Sequence, residues 1–131
     1  MNETNKPTFA PQLFIKSGIK DIDFYSEAFD ARILRTWLNE DDTIHVAELT
    51  IEGAMFHLHE ESLKSGSFCP DRFNGTTTTI GLFVQDVDRF MEKALAAGAK
   101  EISPARDYDY GYRQGEIKDP FGHHWLIEKK I

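Results

Sequence analysis

The sequence predicts an α+β fold assembled from two copies of a β-α-β-β-β module. Three observations lead there: the order of strand-like and helix-like segments runs twice, short motifs recur between the halves, and a turn glycine precedes the last strand of each half. "IKDIDF" returns as "VQDVDRF", and "ELTIEGAMFHLHE" answers "EIKDPFGHHWLIEK", with Gly53 and Gly122 in corresponding places. Self-similarity of this kind marks a duplicated supersecondary unit, and two modules are the structural inference.

In the first half, "QLFIK" (12–16) is an apolar run of strand length that follows a polar leader. "DIDFYSEAF" (21–29) then sets Ile22, Tyr25 and Phe29 at helical spacing, with Asp21 as the expected N-cap. "RILRTWL" (32–38), "IHVAELTI" (44–51) and "AMFHLHE" (54–60) complete the module, the last two joined by a tight reversal at Glu52 and Gly53. A polar linker, "ESLKSGSFCPDRFNG" (61–75), leads to "TTTIGLFV" (77–84), where β-branched and apolar residues favour a strand. "DVDRFMEKALAAGA" places Val87, Phe90, Met91, Ala94 and Leu95 along one helical stripe, opened by Asp86 and closed by Gly98. "KEISPA", "YRQGEIK" and "HHWLIEK" supply three more extended segments.

The balance of charge narrows the partners. Fifteen Lys and Arg against 22 Asp and Glu leave a net charge of −7, without a basic cluster, so nucleic acid and anionic membrane are not expected partners. The single cysteine, Cys69, excludes an intrachain disulfide and reads as an ordinary loop thiol. "MNETNKPTFAPQ" has no apolar run of signal-peptide length, and no stretch approaches the roughly 20 apolar residues of a membrane span, so a cytoplasmic location is expected. No phosphate loop or nucleophile elbow is present.

The segments "PQLFIKSGIKDIDFYSEAFDA" (11–31), "GLFVQDVDRFMEKALAAGAK" (81–100) and "GEIKDPFGHHWLIE" (115–128) resemble the vicinal oxygen chelate superfamily. This is the glyoxalase, bleomycin-resistance and extradiol-dioxygenase group, and the glyoxalase-like branch is the nearest match. The resemblance spans nearly the whole chain and implies one domain over residues 1–131, with module 1 at about 8–60, the linker at about 61–75 and module 2 at about 76–131. It further implies that the strands curl into an open, cup-like, eight-stranded mixed sheet with the helices outside, that a small molecule sits in the cup, and that the protein is a homodimer.

Metal-using members take one ligand from the first and one from the last strand of each module, and by register these positions are Ala10 or its neighbours, His57, Thr79 and Leu126. Only His57 is a good donor. Alternation places His59 beside His57, and His124 and Glu128 beside Leu126, with Gln12 facing inward from the first strand. A shifted metal site would therefore use His57, His124 and Glu128. The expectation is instead that no cofactor is needed, and that His57, His59 and His124 line a cavity together with Gln12 and Thr79. "PARDYDYGYRQG" (104–115) reads as an aromatic loop: Tyr108 and Tyr110 would stack on a planar ligand and Arg113 would attract an anionic group, or the loop would cover a dimer interface. Trp37 is placed at the cup mouth, Trp125 in the core, and Glu48 and Glu116 in equivalent positions as satisfied carboxylates.

Two functions follow. The first is a metal-independent binding protein that holds a small, partly aromatic molecule; the alternative is a metal-dependent glyoxalase-like lyase, isomerase or dioxygenase using a divalent transition metal at the shifted site. A purely structural, dimeric interaction domain is a third class.

Overall fold

The computed structural model describes residues 6–131; the first five residues of the polar leader lie outside the described residues. Module 1 contains β1 (Gln12–Ile15), α1 (Phe24–Phe29), β2 (Arg32–Leu38), β3 (Ile44–Ile51) and β4 (Ala54–Glu60). Module 2 contains β5 (Thr79–Phe83), α2 (Val87–Ala96), β6 (Lys100–Tyr108), β7 (Tyr112–Lys118) and β8 (His124–Lys130). A short 3-10 turn at Pro70–Phe73 interrupts the linker. No helix among the described residues is long and apolar enough to cross a membrane.

The fold is α+β, and its eight strands form two four-stranded mixed sheets, ordered β1-β4-β3-β2 and β5-β8-β7-β6. In each, the first strand pairs in parallel with the last because the helix carries the chain back across the sheet. Alternation then gives each sheet two faces. Leu13, Ile15, Ala47, Leu49, Phe56 and Leu58 point into the core from the first, and Ile117, Trp125 and Ile127 from the second. Helix α2 lies on that core face of the second sheet. Gly115 lets it come close, because a Cβ there would sit 2.8 Å from the Met91 sulfur.

The two modules share one core. The Phe29 ring is 4.9 Å from Trp125, centroid to centroid, and also stacks on Phe90 of α2; Tyr25 touches Phe56, Phe121 and Trp125. In the middle of these rings lies the carboxylate of Asp119. It accepts hydrogen bonds from the Tyr25 hydroxyl (2.6 Å), the Trp125 indole (2.9 Å) and the backbone N–H groups of Phe121 (2.9 Å) and His123 (3.0 Å). Burial, and secondarily the negative charge of Asp119, push the Tyr25 hydroxyl well above its ordinary pKa, so it stays a donor. His123 adds a second tie between the modules by donating from Nε2 to the Phe14 carbonyl (2.8 Å).

Several local expectations are corrected. Helix α1 starts at Phe24, and Asp21 does not cap it: its carboxylate accepts from the Asp23 N–H and shapes the turn ahead of the helix. Asp86 does cap α2, accepting from the Arg89 N–H at 3.0 Å. Strand β5 begins only at Thr79, because the Thr76 hydroxyl bonds to Thr78 and holds residues 76–78 in a local turn. Within 104–115 the strand entry at Tyr112 is as expected, but the loop is shorter: β6 extends to Tyr108, which pairs with Tyr112 of β7, so only residues 109–111 turn. Cys69 is a free thiol in the linker, as expected, and is buried.

Replacing Asp119 with Ala leaves four donors without their acceptor, two of them on side chains deep in the core, and should cost roughly 3–5 kcal/mol. Tyr25→Phe, which removes one charge-assisted bond, should cost about 1.5–3 kcal/mol. Urea denaturation followed by tryptophan fluorescence measures both. A loss below that of an ordinary surface substitution for Asp119→Ala would refute the clasp.

Candidate functional site

A cavity of about 1010 Å³ opens between the edges of β1 and β5, and residues of the linker close one side. Its apolar lining joins Phe14 and Phe68 with Leu13, Pro70 and Ile80, and the exposed rings of Phe9 and Phe73 stand at its margin. Gln12 and the hydroxyl-bearing Thr76, Thr77, Thr78 and Thr79 add polar groups, with no lysine or arginine in the lining. Such a volume, with few polar groups on an apolar wall, has the size and character of a small-molecule pocket.

The linker is held in place as part of this wall. Glu61 receives a two-pronged contact from Arg72 (2.7 and 2.8 Å) and the backbone N–H of Cys69 (3.0 Å). The Arg72 guanidinium above all holds the Glu61 carboxyl down at about 2. Lys118 of β7 reaches Asp71 at 3.1 Å and ties the 3-10 turn to the second module.

Beside the cavity, the helix-free face of the first sheet carries Gln12, Phe14, His57, His59 and Glu48. The register sets His57 beside both Gln12 and Glu48, and His59 beside Phe14. His59 Nε2 donates to the Gln12 Oε1 (2.6 Å), which fixes its tautomer, and its ring stacks on His57 at 5.9 Å. Burial first, then the neighbouring His57 and His45, lower the His59 pKa from its ordinary value. His57 Nε2 faces Glu48 at 3.3 Å. His45 lies at the far end of β3 and pairs with Glu60 (2.9 Å).

The helix-free face of the second sheet carries Thr79, Gly81 and Phe83 from β5, His124, Leu126 and Glu128 from β8, and Gln114 and Glu116 from β7. His124 meets Glu116 at 3.1 Å, and Gln114 donates to Glu128 at 2.8 Å. The Tyr110 hydroxyl donates in turn to Gln114. Tyr108 and Tyr110 stack at 5.2 Å, with the Arg106 guanidinium 4.7 Å over Tyr108. Arg113 has the opposite parity and is engaged by Asp88 (2.7 Å) and Asp107 (3.0 Å), away from these groups. Trp37 lies on the outer strand β2, half-exposed, under the Arg35 guanidinium at 4.3 Å.

Of the residues expected at the site, the structure gathers Gln12 and Thr79 into the cavity lining and ties His59 to Gln12. The donors proposed for a metal are separated by their partners: His57 faces Glu48, His124 faces Glu116, and Glu128 faces an amide. Among the described residues no three His, Cys, Asp or Glu side chains come together as a metal set.

The sequence profile of the glyoxalase/bleomycin resistance protein/dioxygenase superfamily matches residues 12–127. The chain belongs to this superfamily. An uncharacterized protein of Mycobacterium bovis is 36% identical over 129 residues, covering 96% of this chain and 85% of its own length. Among solved structures of the same fold, TioX from Micromonospora sp. ML1 superposes with a TM-score of 0.70 at 23% identity, over 95% of this chain and 97% of that one. The genomically encoded fosfomycin resistance protein FosX of Listeria monocytogenes, in complex with Mn(II) and sulfate, gives 0.68 at 19% identity, over 95% and 90%. That FosX structure holds Mn(II); the ligand positions that the sequence resemblance implies for this chain are Ala10 or its neighbours, His57, Thr79 and Leu126.

Phe68, Phe73 and Gly81 were not foreseen as site residues. Two phenylalanines in an otherwise polar linker were the available signal, but the linker has no counterpart in the other module to place it. The structure predicts a test of the imidazole environment: in an NMR pH titration His59 should titrate below the usual histidine value of about 6.5 and move up toward it in His57→Ala. Because the folded pKa is lowered, His59 stabilises the fold fully above about pH 6.5 and progressively less as pH falls below it. Titration at or above the usual value would contradict this.

Proposed function

We propose that this protein is a small-molecule binding protein of the glyoxalase/bleomycin-resistance type, which holds a small, partly aromatic ligand without a resident metal. The observation that carries the reading is the cavity of about 1010 Å³, with four phenylalanines around a strip of threonine hydroxyls and the Gln12 amide. Aromatic walls favour a planar apolar body, and the hydroxyls and amide set its orientation. Gln12, Thr79 and, through Gln12, His59 are the polar contacts; His57 and His124 act on the same faces as oriented imidazoles. Tyr108 and Tyr110 edge the second face. The ion pairs of Arg113 remove it from the ligand set.

The lyase, isomerase or dioxygenase alternative would need a metal polarising a substrate oxygen, and support for it comes from FosX with Mn(II) in the same superfamily. The binding role is favoured because the four ligand positions implied by the resemblance include a single good donor, His57, and His57 and His124 each contact a different carboxylate rather than a common centre. We place the protein in the cytoplasm as a homodimer. Ile33, Leu34, Trp37 and Leu38 along β2 leave large apolar side chains open to solvent, which supports a covering partner copy.

The neutral probe 1-naphthalenemethanol should bind with a Kd on the order of 0.1–1 mM, the range expected for a fragment of that size. Its amide chemical-shift changes should cluster at β1, β5 and the linker, and Phe14→Ala should weaken it about tenfold, roughly 1.4 kcal/mol. Shifts scattered away from the cavity would defeat the proposal. Elemental analysis of protein purified without chelator should find no stoichiometric transition metal; one equivalent of bound ion, lost in His57→Ala, would establish the metal-dependent alternative instead. Sedimentation equilibrium should give a dimer mass, and a monomer at micromolar protein would remove that part of the reading.

A further inference from the structure

We infer that the cavity selects an organic cation, an ammonium or guanidinium group on an aromatic frame, and that Glu128 receives the charged end beside Gly81. This deepens the binding reading above and rests on it. The helix-free faces of the two sheets present three carboxylates, and their partners differ. Glu48 faces His57 at 3.3 Å and Glu116 faces His124 at 3.1 Å, whereas Glu128 receives only the neutral Gln114 amide, at 2.8 Å on Oε1. Glu128 is nevertheless just 6% exposed. Among the described residues no Lys, Arg or His pairs with it: Arg113 is held by Asp88 and Asp107, and Lys130, the next residue on the same face of β8, forms no ion pair with it. A carboxylate withdrawn from water without a counter-charge is unfavourable, and a bound cation removes the deficit.

The position is built rather than incidental. Gly81 stands against Oε2 of Glu128, and a Cβ at residue 81 would lie 2.6 Å from that oxygen, so the missing side chain on β5 is what gives the carboxylate its room. The Tyr110 hydroxyl donates to the carbonyl oxygen of Gln114, which turns the amide nitrogen toward Oε1 and leaves Oε2 free. Gly81 also lines the cavity, so the free oxygen is adjacent to the space walled by Phe14, Phe68 and Phe73. Aromatic faces nearby, from Phe83 against Tyr112 (6.2 Å) and Tyr110 against Tyr108 (5.2 Å), add negative potential of the kind that attracts cations. The cavity lining contains no lysine or arginine, and the chain carries −7, so an anionic ligand would meet no complementary charge.

Three probes that share one ring system separate charge from shape: 1-naphthylmethylammonium, the neutral 1-naphthalenemethanol and 1-naphthoate. By calorimetry on the full chain, the ammonium should bind at least about tenfold more tightly than the alcohol, and the carboxylate should bind most weakly. Glu128→Gln, which preserves shape and the contact with Gln114, should erase the ammonium advantage and leave the alcohol within about twofold of the parent protein. Should that variant fold poorly, the parent protein still decides the matter: added salt should weaken the ammonium and leave the alcohol unchanged. Equal affinities for ammonium and alcohol would overturn the cation inference while leaving the binding function standing, and binding of none of the three would overturn both.

Discussion

The carboxylate of Asp119 is the constraint on which the rest of the structure depends. It projects from the β7–β8 turn of the second module into an aromatic cluster that both modules build, and its bonds to Tyr25 and Trp125 are the polar centre of that cluster. A carboxylate in such surroundings is tolerable only with its lone pairs occupied, so the positions of α1, of the turn and of β8 are fixed relative to one another. Apolar packing supplies most of the adhesion between modules, while Asp119 and the bond from His123 to Phe14 supply its register. Because β1 and β5 are the first strands of their sheets, fixing the modules at this seam also fixes the gap between those two strands.

That gap is the cavity, and its third side is the segment that joins the modules. A connector of about 15 residues without a regular element would ordinarily follow the surface loosely. Here Glu61 with Arg72, and Lys118 with Asp71, anchor the middle of its 3-10 turn to both modules, and Phe68 and Phe73 line the space thus enclosed. The cavity wall is therefore a product of the linkage between the duplicated units as much as of the units themselves.

Much of the architecture was legible in the sequence because duplication and alternation are periodic signals. Ile117, Trp125 and Ile127 at alternate positions, and Val87, Met91 and Ala94 at helical spacing, identify their buried faces directly. The burial of Trp125 and the parity that sets His59 beside His57 follow from counting along strands. Other features escaped because they depend on contacts between elements. Arg113 had the composition of an anion-binding residue, but its parity directs it to Asp88 on α2. The threonine run had strand propensity, yet a hydroxyl-to-backbone bond two residues away held most of it out of the ladder. Gly81 carried no chemical signal at all, since its role is the room it leaves for a side chain on another strand.

The duplicated frame has diverged in its chemistry. The register sets Gln12 and Glu48 beside His57 in one module, and Gly81 and Glu116 beside Leu126 in the other; in the next row Phe14 lies beside His59, and Phe83 beside Glu128. A frame with near-twofold symmetry and identical halves would accept an elongated molecule equally well in either direction. With two stacked imidazoles and one paired carboxylate on the first face, and one imidazole and a carboxylate that meets only an amide on the second, the two directions differ in free energy, and a molecule lying across both halves would have a single matched polarity.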